Sequence, residues 1–288
     1  MKTGFSMFSF SEDARLEELF PVIKAAGYDG VEPVLSESGY LRHDSTDKEI
    51  LNISRMAGEL GLEIPSVGVW SLWENNLVSE DDKIRKKGME IVKKQIHCAA
   101  LMGADTILVV PGYVGCDFAV RQERVRYDKA YERCVEAFRV LAPFAEQAKV
   151  HIGIENAWNR FLLSPLEMKR LLDEVDCAYV NAYFDVGNIM YVGYPEDWIA
   201  ILGERIKKIH LCDFRRQQAG MGAFVDLFAG DVDFVKVAEA LREIGYDDYL
   251  TLEMLPNYRQ FPEVAIWSNK PALDRICGMV QGELPPEK

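Results

Sequence analysis

The sequence predicts an α/β fold, a single (β/α)8 TIM barrel over residues 1–281. Three observations carry that prediction. Four segments repeat one pattern of amphipathic helix, glycine and β-rich apolar run, at Gly27, Gly61, Gly103 and Gly245, each glycine standing where a helix end favours a left-handed residue. Runs such as Ile107-Leu108-Val109-Val110 and Ile206-Lys207-Lys208-Ile209-His210-Leu211 are separated by helical periods, not tight turns, as in a parallel sheet covered by helices. Eight such units close into a barrel. An open doubly wound sheet is the alternative, but no Gly-x-Gly-x-x-Gly fingerprint follows the first strand.

In chain order, strands are expected near 3–8, 30–34, 64–69, 105–110, 150–155, 180–185, 206–211 and 249–254. Helices are expected near 12–26, 46–60, 80–102, 122–148, 164–175, 195–203, 231–244 and 262–280. The proline-rich, charged tail 282–288 reads as disordered. The connections Trp70–Asn76 and Pro111–Phe118 are long and aromatic. They lie at strand exits, the face on which a parallel barrel gathers its chemistry.

Composition narrows the function classes. The chain is 49% hydrophobic and 27% charged, a globular balance, and no apolar run reaches the roughly 18 residues that span a bilayer. A formal net charge of −13 disfavours nucleic acid and anionic membranes as partners. The first ten residues lack a secretory leader's long apolar stretch, and the six cysteines form no Cys-x-x-Cys pair, which fits reduced thiols in a cytoplasm. Apolar residues in Phe261–Trp267 hint at a subunit contact, hence a homo-oligomer.

The chemistry gathers at four late strand ends: Glu155, Asp185, His210 and Glu253. In a barrel these face one another. Three carboxylates in a low-dielectric mouth repel, and a divalent cation resolves the conflict. An oxygen-rich set with one nitrogen suits Mn²⁺, Mg²⁺ or Co²⁺ and leaves positions open for a sugar; zinc with three protein ligands is the further option.

The motifs Ile154-Glu155-Asn156, Phe184-Asp185-Val186-Gly187-Asn188 and His210-Leu211-Cys212-Asp213, with Gly27–Glu32 and Gly245–Glu253, resemble the sugar isomerase/epimerase superfamily with the xylose isomerase-like barrel. The resemblance spans nearly the whole chain and points to its ketose and ketose-phosphate 3-epimerase branch. It implies one divalent metal, usually manganese, on Glu155, Asp185, His210 and Glu253. It also implies that Glu155 and Glu253 remove and return the C3 proton from opposite faces of a ketose, through an enediolate. Asn188 stands where free-ketohexose epimerases commonly carry a histidine, as in the sugar-phosphate branch. Aldose–ketose isomerisation and polyol dehydration share the metal and the enolising step. A non-catalytic sugar-binding protein is the alternative of another class.

Around this centre, Glu32, Asn188, Asp213, Arg215 and Trp70 are expected to contact the substrate, a small sugar or sugar phosphate. Arg215 or Arg216 offers a guanidinium to a hydroxyl or phosphate, or is a solvated surface charge. Glu32 reads alternatively as a salt bridge within the barrel, the slightly favoured of its two readings. Phe8, Trp73 and Trp158 are candidate pocket walls, and Gly220-Met221-Gly222 is a candidate phosphate cradle or a loop.

Overall fold

Eight parallel strands alternate with helices in the computed structural model, which describes residues 1–218, 220–255 and 258–283. The strands are β1 (Lys2–Ser6), β2 (Gly30–Glu32), β3 (Ser66–Val69), β4 (Thr106–Val109), β5 (His151–Glu155), β6 (Val180–Asp185), β7 (Ile206–Leu211) and β8 (Tyr249–Leu252). The helices between them are α1 (Leu16–Ala25), α2 (Asp47–Glu59), α3 (Asp82–Met102), α4 (Tyr127–Ala148), α5 (Pro165–Val175), α6 (Pro195–Leu202) and α7 (Phe234–Glu243). After β8 come α8 (Val264–Ser268) and α9 (Lys270–Val280). All four repeat glycines adopt the left-handed conformation foreseen for them, with φ of 91° at Gly27, 69° at Gly61, 78° at Gly103 and 70° at Gly245.

Hydrogen-bonded neighbours run β2, β1, β8, β7, β6, β5, β4, β3, and the short strand Val34–Leu35 completes the sheet beside β3. Val34–Leu35 is simply β2 resumed after Pro33, so the two sheet edges belong to one stretch of chain and the barrel closes there. Proline has no N–H to give the ladder, but its carbonyl still accepts from Gly68 N at 2.8 Å.

Along each strand alternate residues face the barrel interior. The last inward positions carry Glu155, Asp185 and His210, and Glu253 directly follows β8, its N–H bonded to Leu211 O at 3.0 Å. Glycines beneath them make room for large neighbours. A Cβ at Gly68 would lie 2.5 Å from the Phe8 ring, and one at Gly153 2.9 Å from Tyr183 Cβ. Two inward positions thus stay empty so that an aromatic ring can fill each space.

Several boundaries differ from expectation for identifiable reasons. β1 ends at Ser6, because its hydroxyl accepts from Phe8 N and starts the single turn Met7–Ser9. α4 begins at Tyr127, not 122, because Glu123 bonds across to Ser79 Oγ (2.8 Å) and Glu80 N (2.7 Å) instead of entering the helix. The expected helix 262–280 is broken at Asn269, whose amide reaches Leu227 N at 2.8 Å and Asp226 at 2.7 Å. Pro271, in the first turn of α9, needs no N–H partner there. Of the tail expected to be disordered, 284–288 lie outside the described residues.

Candidate active site

Four strands place one metal-competent side chain each at the same end of the barrel. β5 contributes Glu155, β6 Asp185, β7 His210, and the residue after β8 is Glu253. One ligand atom from each lies within 4.8 Å of all the others, and all four residues are buried.

The histidine shows which of its atoms serves the cluster. His210 Nε2 lies 2.8 Å from Glu32 Oε1, whereas Nδ1 is buried, has no hydrogen-bond partner among the described residues and lies 3.5 Å from Glu253 Oε2. A proton on Nε2 satisfies Glu32, leaving the Nδ1 lone pair facing three carboxylates. That is the arrangement of a metal-ligating imidazole whose other nitrogen is held by a carboxylate. Glu32 is itself fixed: Oε1 also accepts from Ser6 Oγ (2.7 Å), and Oε2 accepts from Ser66 Oγ (2.5 Å) and Tyr183 OH (2.6 Å). Burial alone would raise this carboxyl, but His210 and the hydroxyls of Ser66 and Tyr183 reverse the sign and hold it below the usual range.

The carboxyls of the cluster shift the other way. Burial, then the charges of Glu253 and Asp185, pushes Glu155 well above the ordinary carboxylate range. Burial and Glu253 raise Asp185 to about 7. Burial would lower the His210 imidazole, but Glu32 and Glu253 hold it well above its usual value. Buried anions this close are in electrostatic conflict, and a divalent cation at their centre would relieve it. The orphaned nitrogen and the converging oxygens therefore fit such a cation.

Asp185 is held from three sides. Its backbone N–H donates to Asn156 Oδ1 (2.9 Å) while its carbonyl accepts from Asn156 Nδ2 (2.7 Å), a two-way clamp joining the ends of β5 and β6. Its Oδ1 accepts from Asn188 N at 2.6 Å, and the Cys212 thiol lies 3.3 Å from both carboxylate oxygens.

Above the cluster opens a cavity of about 230 Å³ bordered by Glu155, Asn188, Glu253, Phe8, Trp70 and Trp158. Phe8, Trp70, Met221 and Leu255 also wall a second compartment of about 450 Å³, so the two adjoin.

Of the residues expected around the substrate, Trp70 and Asn188 border the inner cavity, and Asn188 Nδ2 reaches Glu155 Oε1 at 3.4 Å. Phe8, Trp73 and Trp158 join them as walls. The other three, Glu32, Asp213 and Arg215, border neither compartment. Glu32 is fully buried and spends its oxygens on His210 and three hydroxyls, in keeping with its reading as a salt bridge within the barrel. Asp213 is fully buried and accepts from the backbone N–H of Phe214 (2.8 Å), Gly230 (2.9 Å) and Val232 (3.1 Å), pinning the loop after β7. Arg215 is exposed and donates to Ala229 O at 3.0 Å, bracing the same loop from outside. Gly220-Met221-Gly222 leads into the single turn Met221–Ala223, and Met221 borders both compartments.

The profile of the xylose isomerase-like TIM barrel family matches residues 20–270. The chain belongs to this family. It is similar to the L-ribulose-5-phosphate 3-epimerase UlaE of Escherichia coli, 24% identical over 251 residues that cover 86% of this chain and 85% of the relative. The fold also superposes on a D-psicose 3-epimerase solved in the presence of D-fructose, with TM-score 0.79, 18% identity and coverage of 98% of this chain and 100% of that one. A second solved structure, the IolI protein with a bound zinc atom, aligns with TM-score 0.76 and 16% identity over 99% of both chains.

Four residues of the site went unassigned in the sequence: Ser6, Ser66, Tyr183 and Asn156. Period-two spacing would have placed Tyr183 on the same strand face as Asp185. Nothing local marks Ser6 or Ser66, since each acquires its role from Glu32 across the barrel.

Proposed function

We propose that the protein is a divalent-metal-dependent sugar epimerase that inverts C3 of a ketose, with Glu155 and Glu253 as the acid–base pair. The observation that carries this reading is that those two carboxylates border one cavity and converge, with Asp185, on the unpartnered His210 Nδ1. The names of the relatives agree: L-ribulose-5-phosphate 3-epimerase in sequence and D-psicose 3-epimerase in fold.

Inversion beside a carbonyl removes a proton from one face of C3 and returns one to the other. Glu155 on β5 and Glu253 after β8 approach the cavity from separate strands, as two groups serving opposite faces of a planar enediolate must. A carboxyl raised by burial is a stronger base toward a carbon acid once ionised and a ready donor once protonated. Asn188 Nδ2 orients Glu155 through its Oε1. Phe8 and Trp70 present apolar faces to sugar C–H groups and keep water from the reacting carbon. Glu155, Asp185, His210 and Glu253 would hold a divalent cation, manganese in this proposal, whose chemistry when bound is to supply positive charge against the negative charge developing on the sugar oxygens. The six free cysteines favour a cytoplasmic location, and exposed Phe261 and Trp267 a homo-oligomer.

The deciding experiment follows proton exchange by NMR in D₂O across free and phosphorylated ketoses. Deuterium at C3 with a new epimer supports the proposal. Exchange at C1 only would replace it with aldose–ketose isomerisation.

A further inference from the structure

We propose that the natural substrate is an uncharged sugar bearing a second sugar ring, a keto-glycoside, whose distal ring occupies the outer compartment; this rests on the epimerase reading above. Size is the first argument. The inner cavity, about 230 Å³, falls below the roughly 300–1,000 Å³ of small-molecule sites. The adjoining compartment of about 450 Å³ brings the whole cleft into that range. A single ketose over the metal-ligand cluster leaves that outer space unused.

Lining chemistry is the second. Phe8, Phe10 and Trp70 give the outer compartment aromatic faces, while Ser11, Glu12 and Tyr40 add hydroxyl and carboxylate groups. Flat apolar faces with a few polar groups between them suit a pyranose ring, whose C–H faces stack and whose hydroxyls bond at the edge.

Charge is the third, and it separates a glycosyl group from a phosphate. Among the described residues lining either compartment there is no lysine and no arginine, whereas Glu12, Glu155 and Glu253 are present. A phosphate of charge about −1.5 to −2 would meet carboxylates there with no cationic side chain to answer it. The arginines after β7 are committed elsewhere. Arg215 holds Ala229 O, and Arg216 donates to Gly193 O at 3.1 Å with its guanidinium 4.5 Å from the Tyr194 ring centroid. Neither borders a compartment.

The test uses the full-length, Mg²⁺-loaded protein and one ketose carrying three different distal groups. D-fructose, D-fructose 6-phosphate and the glucosyl-fructoses substituted at O4, O5 or O6 are compared for deuterium uptake at C3 in D₂O. Binding is read in parallel from tryptophan fluorescence, since Trp70 walls both compartments. At least one glucosyl-fructose is expected to exceed free fructose in kcat/KM by about tenfold, because remote binding energy is realised in turnover. It should also bind more tightly, and the 6-phosphate should fall below fructose in both readouts. If the phosphate is preferred, or every glucosyl-fructose is slower than fructose, the keto-glycoside inference fails while the epimerase reading stands. Absence of C3 exchange from all of these ketoses would end both.

Discussion

Glu32 Oε1 lies 2.8 Å from His210 Nε2, and neither residue has any solvent exposure. The pair decides which imidazole nitrogen is left for the cluster, because a proton held at Nε2 frees Nδ1 toward Glu155, Asp185 and Glu253. Glu32→Gln keeps the shape and removes the charge. Outer-shell partners of this kind are commonly worth about 10–100-fold in metal affinity. That loss is expected for Glu32→Gln in a competitive chelator titration, with far-UV circular dichroism unchanged. An affinity equal to the parent's would show that His210 is oriented without it.

Asn156 is the second positioning residue. Its amide trades hydrogen bonds of 2.7 and 2.9 Å with the carbonyl and N–H of Asp185, and it is 4% exposed. Asn156→Ala leaves both backbone groups without those partners in a buried place, which costs about 1–3 kcal/mol for each unsatisfied group. Urea denaturation of the metal-free protein should show a lower midpoint at unchanged slope. Metal affinity should fall as well, since Asp185 would no longer be held at its strand end.

The fold and the cluster were legible for different reasons. Helix, left-handed glycine and strand are local signals, and four of them in one chain sufficed for a barrel. Glu155, Asp185, His210 and Glu253 were legible because each closes a β-rich run, so parallel strands alone bring them together. Asp213 and Arg215 show where that logic stops. A charged residue just past a strand reads the same whether it faces substrate or braces its own loop, and only the fold reveals three backbone N–H groups waiting for Asp213. Glu32 reaches His210 across 178 positions of chain, a partnership no spacing encodes. The break at Asn269 was hidden likewise, because Asp226 and Leu227, which hold its side chain, lie far upstream.

The proposed pair of bases on opposite faces makes a prediction that one base could not. In Glu253→Gln, Glu155 can still remove the proton on its own side and return a deuteron to that side. One epimer should therefore exchange at C3 in D₂O without inverting, the other should not exchange, and interconversion should fall by at least about 10²-fold. Glu155→Gln should reverse which epimer exchanges. Each variant needs its metal content confirmed first, because both residues belong to the proposed ligand set. Retained interconversion in both variants would remove the acid–base assignment.

Metal binding should tighten as pH rises, and the ionisation of the cluster gives the direction. Asp185 is raised to about 7 by burial and by Glu253, and Glu155 is raised well above the ordinary range by burial, Glu253 and Asp185. An unfolded aspartate releases its proton near about 3.9, so between about 4 and about 7 the folded metal-free protein holds a proton that the unfolded chain has lost. Asp185 therefore makes metal-free stability fall as pH climbs through that window and level off above it. Raised His210 contributes a slope of the same sign at higher pH: the stability from its protonated pairing with Glu32 and Glu253 is complete below about 6.5 and is lost as pH rises through its higher folded value. For cation binding all these groups act in one direction, since a cation must displace a proton from each that is still protonated. Thermal melts with and without Mn²⁺ should thus give a larger metal-induced rise in Tm at pH 8 than at pH 5.5, abolished by chelator at both. A rise of the same size at both pH values would mean that the cation does not compete with these protons and so does not sit among these carboxylates.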